Sequence, residues 1–450
     1  MRRPSIRTAR RHAVCVGLLI LPSAVVQAQG TAKAPQHQTH QAPQTSQKDE
    51  DEALNLADLA PEAAPATSGK TWHGHAELAW GRAAQRSLTA DPAWETQQRQ
   101  SLVLQAEFQS SAAWRWVGAA RLDHSDPAQQ PYPQTLLSLQ EAYASWRLDE
   151  GLLLDAGRVN ARQGLGTGYN PSDFLRAGAL RSQVSVEPAS IKTNRLGTVM
   201  LRAQRLWDGG ALTALLAPKL AQMPSQRGLS ADLGATNDRS RWLLAWSQRW
   251  SENLQPQWSL FGADGQAPQL GFNLSSLAGQ ATVVYLEWAG GRAPEQVTQA
   301  LGDPQAARHW QQRLATGLRY TAGNKLSLTL EWAYDSAAPD REAWQRLQTQ
   351  PSAYLAYRRW AHAAQELNTR GQWGLYANWP DLLGWQHLDF NGLLRVNPED
   401  HSRMSWLELR YRWPGLDLAL QWQSNQGRPG SEYGSLPQER GWQLSLRGYF

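Results

Sequence analysis

Cysteine is nearly absent from this 450-residue sequence: the single one, Cys15, lies early in the first apolar stretch. Everything after residue 28 is therefore without a thiol, which excludes disulfides, thiolate metal centres and cysteine catalysis there. Long hydrophobic runs are also missing. Beyond the first apolar stretch nothing approaches the roughly 18 consecutive apolar residues of a spanning helix, so helical membrane spans are excluded. Net charge is the third absence. The formal +5 is carried by Arg2, Arg3, Arg7, Arg10 and Arg11, in a segment with no acid, so residues 29–450 are neutral. The basic pI of about 9.3 belongs to that segment, and no nucleic-acid partner is expected.

The beginning of the chain reads as an export signal. A basic start from Met1 to Arg11 precedes an apolar run from Ala13 to Val26, interrupted by Pro22, and small residues around Val26-Gln27-Ala28 suit cleavage after Ala28. Residues 29–70 are rich in Ala, Pro, Gln, Thr and His, carry an acidic run at Asp49 to Glu52, and show no strand alternation. The composition predicts a disordered periplasmic leader, too short for a folded plug. His37 and His40 within it read as solvated side chains rather than metal ligands.

From Thr71 the pattern changes to segments of eight to twelve residues with alternating polarity, the length of a tilted strand crossing a bilayer. In the clearest, Leu326, Leu328, Leu330, Trp332 and Tyr334 share one face and Lys325, Ser327, Thr329 and Glu331 the other. Leu416, Leu418, Leu420 and Trp422 oppose Asp417, Gln421 and Gln423 likewise, and Leu102, Leu104, Ala106 and Phe108 oppose Gln105 and Glu107. Candidate strands fall near 72–82, 99–109, 112–123, 138–148, 151–158, 195–206, 210–217, 241–250 and 257–264. Further ones lie near 268–275, 279–289, 313–321, 325–334, 371–378, 384–396, 403–413, 416–424 and 440–450. Connections after even-numbered strands are short turns such as Asp208-Gly209, Gly323-Asn324 and Pro414-Gly415, whereas most of the others are long. The load of 23 Trp and 12 Tyr against 6 Phe suits rings placed at two membrane interfaces. The expected fold is all-β: over residues 71–450, a transmembrane antiparallel up-and-down barrel of about 18 strands (16–18), with long external loops and both termini in the periplasm.

At the end of the sequence Trp442, Leu444, Leu446, Gly448 and Phe450 fall on one face. This resembles the C-terminal signature of Gram-negative outer-membrane proteins, with Gly448 where a bulky aromatic is more usual. The resemblance implies that Trp442, Leu444, Leu446 and Phe450 form the signal read by the barrel-assembly machinery. It also implies periplasmic chaperones, outer-membrane lipid and lipopolysaccharide as partners. A second resemblance covers Gln140 to Asp173: Glu141-Ala142-Tyr143, Gly157-Arg158 and the run GLGTGYNPSD from Gly164 to Asp173 are similar to porin-like and alginate-export-like barrels.

The segment 159–194 is longer than a hairpin requires and leads the functional candidates. Folded into a barrel, it would bring Arg158, Arg162, Asp173, Arg176, Arg181, Lys192 and Arg195 together as a mainly positive constriction; folded outward, it would be a cap. Gly164, Gly166 and Gly168 permit tight bends, and Asn170-Pro171-Ser172-Asp173 is a turn able to start a short helix. GLGTG lacks the strand-to-helix context of a dinucleotide fingerprint. On predicted inward faces, Glu331, Glu408, Arg410, Arg412 and Arg447 are either a transverse selectivity field or ion pairs that hold the wall. His73, His75 and Glu77 share one face of the first strand, where lumen lining outweighs metal binding. Residues 339–369 have helical character, and Trp344, Leu347, Tyr354, Tyr357, Trp360 and Ala364 read first as rings and apolar groups buried against the rim.

No serine, aspartate or histidine motif suggests a convergent catalytic group, so neither an enzyme nor a cofactor is expected. A polar-lined barrel of this width points to passive or facilitated passage of a small polar or anionic solute. The alternative is a barrel blocked by its loops, acting as an adhesin or as the outer component of an export complex.

Overall fold

A computed structural model describes residues 71–87, 91–128 and 132–450; the expected export signal and the leader up to residue 70 lie outside these residues. Eighteen antiparallel strands follow one another round the sheet. They are β1 (Trp72–Gln85), β2 (Ala93–Gln109), β3 (Trp114–Asp126), β4 (Thr135–Arg147), β5 (Leu152–Val159), β6 (Thr198–Trp207), β7 (Gly210–Ala217), β8 (Arg241–Gln248) and β9 (Gln257–Ala263). The ring continues through β10 (Gln269–Leu277), β11 (Thr282–Ala293), β12 (His309–Thr321), β13 (Ser327–Asp335), β14 (Gly371–Trp379), β15 (Leu388–Val396), β16 (Arg403–Trp413), β17 (Leu416–Gln426) and β18 (Gln438–Tyr449). Each pairs with its sequence neighbour, and β18 pairs with β1 from His75 opposite Tyr449 to Gln85 opposite Gln438. Closure leaves no sheet edge, so the barrel satisfies its backbone groups internally, as a hydrocarbon environment demands. No helix among the described residues is long and apolar enough to cross a membrane.

All eighteen expected strands are present. The largest early starts are β2 at Ala93 and β12 at His309, and the largest late one is β15 at Leu388, after a short 3₁₀ turn at Leu382–Gly384. The early starts have a simple cause. At 93–98 the strand extends past the apolar band, where nothing forces one face to be greasy.

Alternation puts Leu78, Leu102, Leu330, Leu407, Leu420 and Leu446 on the outer surface. Two belts of outward aromatics border this band. Trp72, Trp114, Trp146, Trp246 and Trp413 stand towards the short turns, and Trp80, Trp242, Trp310, Trp373 and Trp422 towards the long loops. Indoles at both borders match the two interfaces of a bilayer. Among the described residues the loops carry five α-helices: α1 (Pro188–Thr193), α2 (Leu233–Thr236), α3 (Gln296–Ala300), α4 (Arg341–Gln348) and α5 (Pro351–Ala364).

Candidate functional site

The loop from 160 to 197 leaves β5 and turns into the barrel. Its root is tied to the wall on its own side: Gly197 N donates to the Gln140 carbonyl at 2.8 Å, and Gln140 Nε2 donates to the Thr193 carbonyl at 3.0 Å. Its tip reaches β11 and β13, the latter nearly opposite β5 in the ring. Two inward carboxylates of that far wall receive it. Glu287 accepts from the backbone N–H of Leu165 (2.8 Å), Gly166 (3.0 Å) and Ser172 (2.8 Å), and from Ser172 Oγ at 2.9 Å. Glu331 accepts from Thr167 N (2.6 Å), Gly168 N (3.0 Å) and Tyr169 N (3.1 Å), and from Tyr285 Oη at 2.5 Å. Successive backbone N–H groups curled round a carboxylate form an anion nest with charge-assisted bonds.

The bend exists because the sequence supplies glycine. Gly164 has φ +98°, and a Cβ there would lie 2.5 Å from Glu287 Oε1; one at Gly168 would lie 1.8 Å from Tyr376 Oη. The expected turn at Asn170-Pro171-Ser172-Asp173 forms, and no helix follows it directly. Asp173 N closes it on the Asn170 carbonyl at 3.2 Å.

Behind the tip, Phe174 stacks on Phe261 of β9 with centroids 4.7 Å apart, joined by Leu175, Met200, Leu215 and Leu243. This part of the lumen is an apolar core rather than the polar lining that simple alternation implies. A further layer closes the β13–β18 side from outside. Trp344 and Tyr357 are fully buried, Tyr354 and Leu347 pack with them, and Trp360 and Ala353 join at the edge. Tyr354 Oη donates to the Gly430 carbonyl at 3.0 Å, Trp344 Nε1 to Asp400 at 3.0 Å, and Tyr357 Oη to Gln296 Oε1 at 2.7 Å. The rim-burial reading of these rings therefore holds.

Between the loop and the β8–β13 wall a cavity of about 550 Å³ opens outward. Arg176, Arg239, Arg241, Arg292, Arg308 and Arg313 line it, against Asp173, Asp238, Asp335 and Glu366. A smaller crevice of about 60 Å³ lies on the loop's other side, between Lys192, Arg195, Arg395 and Asp173.

No protein-family model matches the sequence, and no curated relative does. Solved structures match by shape. OccAB1 of Acinetobacter baumannii aligns with a TM-score of 0.52 over 86% of this chain and 99% of that one, at 9% identity. OpdL of Pseudomonas aeruginosa aligns with a TM-score of 0.51 over 84% and 98%, at 12% identity. The likeness is one of fold: a closed antiparallel barrel of the kind seen in OccAB1 and OpdL.

Within this barrel four of the seven predicted constriction residues, Asp173, Arg176, Lys192 and Arg195, line one crevice, mostly as members of pairs. Asp173 and Arg195 form a buried ion pair. Arg176 pairs with Glu366 at 2.5 Å and donates to the Asn170 carbonyl at 2.6 Å. Lys192 Nζ donates to the Gly166 carbonyl at 3.1 Å, tying α1 to the tip. Arg158 and Arg181 sit at the root instead. Arg158 Nε donates to the Gly197 carbonyl at 2.9 Å, and Arg181 donates to the Leu137 carbonyl at 2.7 Å and faces Asp232 at 3.5 Å. Arg162 is half-buried on the loop's inbound arm.

The wall charges form a chain across β15 to β3. Arg412 meets Asp389 at 2.7 Å, Arg410 meets Glu408 at 2.9 Å and Asp417 at 3.4 Å, and Arg447 meets Glu77 at 2.6 Å. Arg99 joins Glu77 at 2.7 Å, Arg121 joins Asp123 at 2.8 Å, and Arg121 donates to Asn194 Oδ1 of the loop at 3.3 Å. Glu77 is thus taken by two arginines, while His73 bonds Gln105 and His75 packs on Tyr449. Among the described residues no group of His, Cys, Asp and Glu is arranged to hold a metal. At the start of α1, Glu187 has its carboxyl pushed upward by burial and by the charge of Glu408.

Sequence reasoning missed Glu287, Arg313, Glu366 and the inward Leu215, Leu243 and Phe261. Only the last three left a trace, as large apolar residues in positions whose alternation should be polar.

Glu366 joins the lumen loop to the lid. Tyr169 Oη donates to it at 2.7 Å, and Arg313 meets it at 3.0 Å besides Arg176. Burial opposes its ionisation, but the charges of Arg176 and Arg313 outweigh that and hold its carboxyl below the usual range. An acid depressed in the folded state contributes stability that is fully present above its unfolded pKa of about 4.3 and is lost as pH falls through the folded value. The share of the loop contact that Glu366 carries should therefore weaken below about pH 4. Open-channel noise in planar bilayers checks this: Glu366→Gln should be noisier than wild type at pH 7, and the difference between the two should fade below about pH 4.

Proposed function

We propose that this barrel is a passive outer-membrane channel for small polar solutes, with a preference for anions. The observation that carries the reading is the outward-opening cavity of about 550 Å³, bounded on one side by the inward-folded loop and lined by six arginines against four acids. A low-dielectric wall with this charge excess raises the local concentration of anions and guides them to the loop, so selection needs no turnover. Arg195, Lys192 and Arg395, round the smaller crevice beside Asp173, are the proposed next station. Arg158 and Arg181 serve in this reading as anchors of the loop, and Glu331 as its dock.

The full chain reconstituted in a planar bilayer under a KCl gradient should give steady current and a reversal potential displaced towards that of chloride. A displacement towards potassium would overturn the anion preference. Absence of any current would favour a sealed barrel, an adhesin or export component, for which the lid over the β13–β18 side is the supporting observation.

For biogenesis we propose Trp442, Leu444, Leu446 and Phe450 as the handle taken by the assembly machinery after chaperone delivery. The three strand residues lie on the outer face of β18, and Trp442 meets Trp80 edge-on at 4.9 Å across the closing seam.

A further inference from the structure

The closing seam carries a feature that neither the lumen nor the loops explain. On the outer face of β1, the apolar band runs through Leu78 to Trp80, which packs against Trp442 of β18. The next outward residue towards the loop rim is Arg82, about 7 Å further along the strand. Arg440 of β18 lies one pleat further towards the loops, opposite Ala84, and Trp94 of β2 is opposite Ala84 from the other side. Both guanidiniums lie over the Trp94 ring, at 5.9 Å for Arg82 and 5.8 Å for Arg440 from its centre.

Both arginines are exposed, and among the described residues neither has a carboxylate within salt-bridge distance. Glu439, the acid next to Arg440 in sequence, faces Arg86 instead. An outward acid of this region, Asp126 on β3, stands opposite Gln98, which pairs with Trp80 on β1, one pleat below Arg82. A third outward arginine, Arg403 on β16, is already hydrogen-bonded to Gln426 at 2.8 Å. Two uncompensated cations are thus held within a Debye length of each other, on the membrane-facing surface, one step above the aromatic belt. That is the height of lipid headgroups, at the loop end and hence in the outer leaflet. A guanidinium fork matches phosphate bidentately, and the shared indole restricts both forks to one place.

We propose that Arg82, Arg440 and Trp94 form a binding site for the phosphorylated headgroup of an outer-leaflet glycolipid. The site depends on outer-membrane placement and not on the channel reading, so either can fail alone.

The test uses the detergent-solubilised full chain, native mass spectrometry, and three probes: bis-phosphorylated lipid A, its dephosphorylated form, and inorganic phosphate. Expected is selective retention of the phosphorylated glycolipid, weakened roughly thirty-fold in R82Q/R440Q and unchanged in R403Q. The charge-preserving R82K/R440K should fall between, and heat-modifiable mobility reports whether each variant is folded. Equal retention by R82Q/R440Q, or an equal loss in R403Q, would overturn the site. Binding of inorganic phosphate as tight as that of the glycolipid would replace the lipid assignment by a free-anion site.

Discussion

Replacing Glu287 and Glu331 together by alanine should detach the loop tip from the far wall and give a several-fold rise in unitary conductance. Each carboxylate accepts three backbone N–H bonds from the tip, and bonds to a charged acceptor are the strong kind. At about 3 kcal/mol of net docking free energy per carboxylate, the pair shifts the docked-to-released ratio by a factor of about 10⁴, enough to invert the population. One carboxylate alone accounts for a factor of roughly 150. Each single variant should therefore flicker between two levels, and the double variant should dwell at the upper one. Asp173–Arg195 and the Phe174–Phe261 stack still hold the second half of the loop, so the upper level should lie below that of a barrel lacking the loop. A double variant with wild-type conductance and wild-type protease resistance near Gly166 would show that the tip is held by something else.

The second large effect concerns charge. Arg239 and Arg241 are engaged with Asp238, and Arg176 and Arg313 with Glu366, whereas Arg292 and Arg308 are exposed in the same vestibule and take part in no salt bridge among the described residues. Arg308 Nη2 donates to the Gly265 carbonyl at 2.7 Å. R292E/R308E converts an excess of two positive charges among the lining residues into an excess of two negative ones. The reversal potential in a KCl gradient near 0.1 M should change sign, because the Debye length there, about 10 Å, spans the cavity. Near 1 M it shrinks to about 3 Å and the difference between variant and wild type should fade. A sign that does not respond to this reversal would remove the vestibule from the selectivity mechanism.

The strand count, the turn side and the lipid-facing surface were legible in the chain itself. Lipid outside and water inside impose opposite polarity on adjacent residues, so Leu326 to Tyr334 or Leu416 to Trp422 declares its pleat locally, and Pro414-Gly415 marks the return. The helical rim segment was legible for a similar reason, since Trp344, Leu347, Tyr354 and Tyr357 lie on helix positions that bury together. Where a strand rises above the bilayer, as Ala93–Gln98 does, that local compulsion lapses and its start was read late.

What the loop does was decided elsewhere. Its arginines announced positive charge, but the direction of folding rests on Glu287 and Glu331, distant in sequence, recognising backbone N–H groups that every residue type except proline carries. A donor common to nearly all residues leaves no side-chain pattern to read, and one inward acid looks like any other until the ring brings β11 and β13 opposite β5. Local polarity determined that the chain makes a barrel; only closure of that barrel, by setting which walls face each other, decided that the loop is held inside it.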